Sequence, residues 1–123
     1  MKIVFSNTII AKEKLSEKDR NDVVKAVLKG IFILIKGKNL PVNSNLAKIY
    51  STTIEGARRI VILINNGSRD SFFLFYRSKN DKIGENISIK NPHFQAELQK
   101  YLLILSEDLI ENNYTFINLN SVP

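Results

Sequence analysis

The chain has 123 residues, a formal net charge of +6, and 44% hydrophobic against 24% charged residues, the balance of an ordinary folded domain. One domain over residues 1–123, with a single core, is therefore expected. The absence of cysteine excludes disulfides and thiolate metal sites. The N-terminal residues lack a secretory pattern, and the run Ile31 to Ile35 is too short to cross a bilayer, so the expectation is a cytoplasmic protein with no membrane association.

Lys2 to Ile10 opens with an apolar run that reads as a first strand. Ser16-Glu17-Lys18-Asp19 has the form of a capping box, with acidic residues in the first turn. Val24, Val27, Leu28, Ile31, Leu34 and Ile35 recur at helical spacing and predict a helix over 17–36, weakened or broken at Gly30 and stopped at Gly37. Residues 39–45 read as a loop, and Leu46 to Ser51 as a second strand.

Ile60 to Ile64 and Phe72 to Tyr76 are β-branched or aromatic runs separated by Asn65-Asn66-Gly67-Ser68, a turn in which Asn and Gly supply positive φ. Strict alternation would put Phe73, Phe75 and Arg77 on one face and Phe72, Leu74 and Tyr76 on the other. It would also make Arg58, Arg59 and Arg77 neighbours. Residues 81–91 read as an exposed polar loop, where function often concentrates. Pro92 suits the first turn of a last helix, whose stripe is Phe94, Leu98, Tyr101, Leu102, Leu105 and Leu109. Thr115 to Leu119 is a short strand or a docking tail. The expected fold is α+β with two layers: an antiparallel twisted sheet carrying long N-terminal and C-terminal amphipathic helices.

Charge is unevenly spread. Residues 1–47 carry nine Lys/Arg against four Asp/Glu, residues 48–90 eight against four, and residues 91–123 one against four. A basic body attracts polyanions or acidic proteins. His93 is the one histidine and has no clustered partner in sequence, so His-based metal sites and nucleophilic triads lack their parts; no glycine-rich phosphate loop is present either. What remains is a cationic set, Arg58, Arg59, Arg77, Lys79 and Lys82. Such residues can support attack of a ribose 2′-OH on its own phosphate, since Arg offers a planar fork and a Lys among cations can change protonation.

The segments Gly56-Ala57-Arg58-Arg59 and Tyr76-Arg77-Ser78-Lys79-Asn80, with the polar loop and final helix, resemble the core of the RelE/ParE superfamily of bacterial toxins, especially its RelE/HigB-type mRNA interferases. The resemblance implies a RelE-like fold and a type II toxin that enters the ribosome and cuts mRNA without metal or small-molecule cofactor, and that is neutralised by a cognate antitoxin. Carried over by position, Arg58 or Arg59 matches the strand arginine that contacts phosphate, Arg77 the basic residue ending the next strand, and Lys79 the lysine that follows. Lys48, Tyr50 and Tyr76 are the candidate RNA-binding residues; relatives often carry a catalytic Tyr or His near the C-terminus, and nothing after the final helix here clearly matches it, Tyr114 being a weak candidate. Two other readings remain open: a ParE-like inhibitor of gyrase, and a non-catalytic RNA-binding module in which Tyr50 or Tyr76 stacks a base.

Overall fold

A computed structural model describes residues 1–119. In chain order the elements are β1 (Lys2–Ser6), α1 (Asn7–Glu13), α2 (Glu17–Lys29), β2 (Ile33–Ile35), β3 (Ser44–Thr53), β4 (Gly56–Asn65), β5 (Ser71–Ser78), α3 (Pro92–Ile110) and β6 (Tyr114–Asn118). The strands form one sheet in the order β2-β3-β4-β5-β1-β6. All neighbours are antiparallel except β1 and β5, which run parallel.

The expected two-layer, purely antiparallel, RelE-like arrangement with a long N-terminal helix does not hold. The sheet is mixed, with helices on both faces. Phe75 packs its ring against Phe94 and Tyr101 of α3, whereas its neighbour Tyr76 turns to Asp19 of α2. Adjacent strand residues point to opposite faces, so α2 and α3 lie on opposite sides of the sheet.

The first strand stops at Ser6 because Ser6 becomes the N-cap of α1, its hydroxyl accepting from the Ile9 N–H. Asp108 of α3, only 4% exposed, holds this junction by accepting from the Ser6 hydroxyl, the Thr8 N–H and the Thr8 hydroxyl. The capping box at Ser16 and Asp19 starts α2 as expected. That helix ends at Gly30, which takes the left-handed conformation at φ 70°, and not at Gly37. Ile33 to Ile35, assigned to the helix on spacing, are β-branched and leucine residues that pair with Leu46–Lys48 as an edge strand. Gly37 serves packing instead: a Cβ there would lie 3.0–3.1 Å from Leu40, Leu46 and Leu98.

The hairpin of β4 and β5 forms as expected, with one correction to its faces. The register passes from Val61↔Phe75 to Ile62↔Phe73, so Leu74 is an unopposed bulge residue and alternation is reset across it. Phe73 accordingly contacts Phe5 and Tyr76, while Phe75 and Arg77 face α3. In the turn, the Asn65 side chain accepts from the Gly67 and Ser68 N–H groups, and the residue with positive φ is Arg69. Residues 114–118 are a strand on the outer side of β1. Among the described residues no helix is long and apolar enough to cross a membrane.

Candidate functional site

Because β4 alternates, Arg58 and Arg59 leave the strand on opposite faces. Arg58 turns to the α2 side, where it bridges Asp19 at 3.3 Å and lies 4.6 Å from the centre of the Tyr76 ring. The Tyr76 hydroxyl reaches the same carboxylate at 3.4 Å. Burial, reinforced by Asp19, pushes the Tyr76 phenol upward. Burial opposes the Asp19 charge as well, but Ser16 and then Arg58 outweigh it and hold that carboxyl below its usual range. Both Arg58 and Tyr76 are thus committed to a structural cluster.

Arg77 is committed more firmly. Its guanidinium makes 2.6 Å contacts with Glu13 of α1 and Glu97 of α3, and it lies 4.9 Å from the Phe75 ring centre. Tyr101 donates its phenol proton to the other oxygen of Glu13 at 2.5 Å. Burial disfavours the Arg77 charge, yet Glu13 and Glu97 reverse that effect and raise its pKa further. Burial and the bond to Glu13 push the Tyr101 phenol up to about 12. The sequence pointed to the arginine but not to its two carboxylates, which lie 64 and 20 residues away along the chain.

Arg59 has a different setting. It pairs across the ladder with Tyr50 on one side and Arg77 on the other, and its guanidinium lies 4.0 Å from the centre of the Tyr50 ring. Lys48, two residues before Tyr50 on the same face, brings its ammonium to 5.4 Å from that ring. These residues, with Lys79, form one wall of a cleft of about 400 Å³. Asn80, Gly84, Glu85, Asn86, Ile87 and Ser88 of the loop after β5 form the other. No ion pair engages Lys48, Arg59 or Lys79 among the described residues.

No protein family, curated protein or solved structure matches this chain. The residues of the site must carry the functional reading alone.

Four of the expected site residues, Lys48, Tyr50, Arg59 and Lys79, therefore come together, and Arg58, Tyr76 and Arg77 do not join them. Lys82 is exposed on the loop outside the cleft wall. Tyr114 lies on β6 opposite Ser6, far along the sheet from the cleft. His93 is exposed in the first turn of α3. No group of three or more His, Cys, Asp or Glu is placed to hold a metal ion among the described residues.

The polar wall was foreshadowed only by the loop composition, and the closeness of its packing not at all. A Cβ on Gly84 would fall 1.8 Å from the Ser78 carbonyl oxygen, so only glycine lets the loop lie against the end of β5. The Asn91 side-chain amide then donates to the Lys82 and Asn86 carbonyls and closes the loop from below. Chemically, the result is a notch with three cations that form no ion pair among the described residues, the Glu85 carboxylate on the facing wall, the Tyr50 ring and side-chain amides. It suits a phosphate with an adjoining planar base.

Proposed function

We propose that this protein acts on RNA as a toxin of toxin–antitoxin type, a metal-independent endoribonuclease that cuts message on the ribosome, and that the Lys48–Tyr50–Arg59–Lys79 cleft holds the scissile region. The observation that carries this reading is a cleft that gathers Lys48, Arg59 and Lys79, none of them in an ion pair among the described residues, beside Tyr50, whose ring Arg59 approaches to 4.0 Å and Lys48 to 5.4 Å. The resemblance of residues 56–59 and 76–80 to mRNA interferases supports it at the level of these segments and not of the fold.

In this scheme Lys48 and Lys79 bind flanking phosphates, and a base stacks on Tyr50. The Arg59 fork balances the charge that develops as the 2′-OH loses its proton to water and attacks phosphorus, the P–O5′ bond breaks to leave a 2′,3′-cyclic phosphate, and the departing 5′-oxygen takes up a proton from water. The ribosome supplies in-line orientation, worth about 7–11 kcal/mol in well-aligned systems. Such an activity belongs in the cytoplasm and calls for a neutralising antitoxin, which the basic residues 1–90 would attract through an acidic segment.

A second reading, a non-catalytic RNA-binding module, is favoured by one specific observation: Arg77 is held by Glu13 and Glu97 and is not free to serve a phosphate. The test programs ribosomes with a defined message and compares wild type with Arg59→Ala and Tyr50→Ala, alongside binding of single-stranded RNA at several salt concentrations. Cutting by wild type at the A site, lost in Arg59→Ala, supports the toxin. Salt-dependent binding without cutting selects the module. Absence of both, with impaired gyrase, selects the ParE-like alternative.

A further inference from the structure

The wall of the cleft that faces Lys48, Arg59 and Lys79 carries one acid, Glu85, together with the amides of Asn80 and Asn86. All three side chains are exposed, and none makes a hydrogen bond or an ion pair among the described residues. Glu85 thus pairs with none of the cations that share its cleft. The backbone beneath these side chains is nevertheless fixed. The Glu85 N–H donates to the Asp81 carbonyl at 2.9 Å, and the Asn86 N–H to the Ile83 carbonyl at 3.1 Å. The Asn86 carbonyl accepts from the Asn91 amide at 2.8 Å, and Ile83 and Ile87, on either side of the Glu85-Asn86 pair, are sunk in the core. A held loop therefore turns unused polar groups toward a phosphate-binding wall, as recognition of a base requires.

A carboxylate opposite such a wall works against RNA by charge, unless the ligand brings hydrogens to it. Phosphates have none to give, and a ribose within a chain offers a single hydroxyl. The bases differ in a way that a carboxylate reads. Guanine sets two donors side by side, N1–H and the N2 amino group, which match the two oxygens of one carboxylate. Adenine and cytosine place an amino group next to an acceptor nitrogen, which a carboxylate repels, and uracil places one N–H between two carbonyls. Guanine also carries O6 beside N1, an acceptor for an amide N–H of Asn80 or Asn86.

We propose that this wall is a guanine subsite. The proposal rests on the reading of the cleft as an RNA site: the nucleotide next to the one on Tyr50 keeps its phosphate on the cations and turns its Watson–Crick edge across the cleft. Its N1–H and N2 amino group donate to the Glu85 carboxylate. Glu85 selects the base and takes no part in the proton transfers of cleavage.

The experiment follows fluorescence anisotropy of the full chain with labelled single-stranded RNAs about six nucleotides long. In an otherwise uridine strand, one central position is G, A, C, U or inosine. The G strand should bind about tenfold more tightly than those with A, C or U, and inosine, which lacks the N2 amino group, should lose most of that margin. Added salt should weaken every strand and leave the ratio standing, because the cations hold phosphate and not base. Glu85→Gln should bring the ratio close to unity and slightly tighten the A, C and U strands, since a negative charge leaves the cleft; parallel melts check that the variant is folded. Equal binding of all five strands, inosine bound as tightly as guanine, or a guanine preference that survives Glu85→Gln overturns the subsite. So does a Glu85→Gln protein that keeps the preference but no longer cuts message on programmed ribosomes, which would make Glu85 a proton acceptor. Failure of the RNA reading itself looks different: no strand binds at low salt, and the subsite falls with it.

Discussion

Replacing Arg77 by Met tests whether this residue is a pillar of the fold or part of the RNA site. The change removes two 2.6 Å ion pairs and leaves two carboxylates facing each other, Glu13 with 8% of its side chain exposed and Glu97 with 23%. Breaking a fully buried pair from one side costs about 3–5 kcal/mol, and the partial exposure of Glu97 and Arg77 screens this to about 2–3 kcal/mol. For a domain of this size that lowers the melting temperature on the order of 10 °C. Thermal and urea melts followed by circular dichroism measure it. Adding Glu13→Gln and Glu97→Gln to Arg77→Met should recover part of the loss, because no unpaired charge then remains. RNA binding by the folded Arg77→Met protein, assayed well below its melting point, should stay within about a factor of 2–3 of wild type. A melting temperature unchanged by Arg77→Met, or RNA binding lost from a stable variant, would refute the structural role and return Arg77 to the site.

Gly84→Ala should move the loop after β5, since the added methyl meets the Ser78 carbonyl; a cost of about 1–3 kcal/mol and weaker RNA binding are expected, read by melts and anisotropy. Burial tends to raise the Asp108 pKa, but bonds from Ser6 and Thr8 bring it below the ordinary value of 3.8. Its stabilising contribution is therefore complete above that value and disappears as pH falls through the depressed folded pKa, so Asp108→Asn should flatten the acid limb of a stability–pH curve. The Tyr101 phenol, raised from 10.0 to about 12, stabilises fully below pH 10 and loses its contribution as pH rises from there to about 12. An ultraviolet titration of the native protein should show Tyr101 and Tyr76 ionising late, and Tyr101→Phe should remove the last of these steps.

Local chemistry was enough to place the hairpin, the capping box at Ser16, the last helix with its Pro92 start and the polar loop. Each of these is decided by a few consecutive residues acting through turns, caps or a strong stripe. Lys48, Tyr50, Arg59 and Lys79 were legible as cations and an aromatic on a sheet edge, because strand position and charge are both local. Where Arg58 and Arg77 end up was not local. It depends on carboxylates from α1, α2 and α3, and a positive charge in a sequence carries no mark of whether a distant Glu will neutralise it. The end of α2 shows the same limit: Leu34 and Ile35 satisfy helical spacing, and only the room beside Leu46–Lys48, together with Gly30, made them part of an edge strand. The insertion of β1 in parallel beside β5, the bulge at Leu74 and the cleft closed over Gly84 likewise depend on which surfaces meet. Hydrophobic periodicity says which side of an element is buried, but only the packed core decides against what.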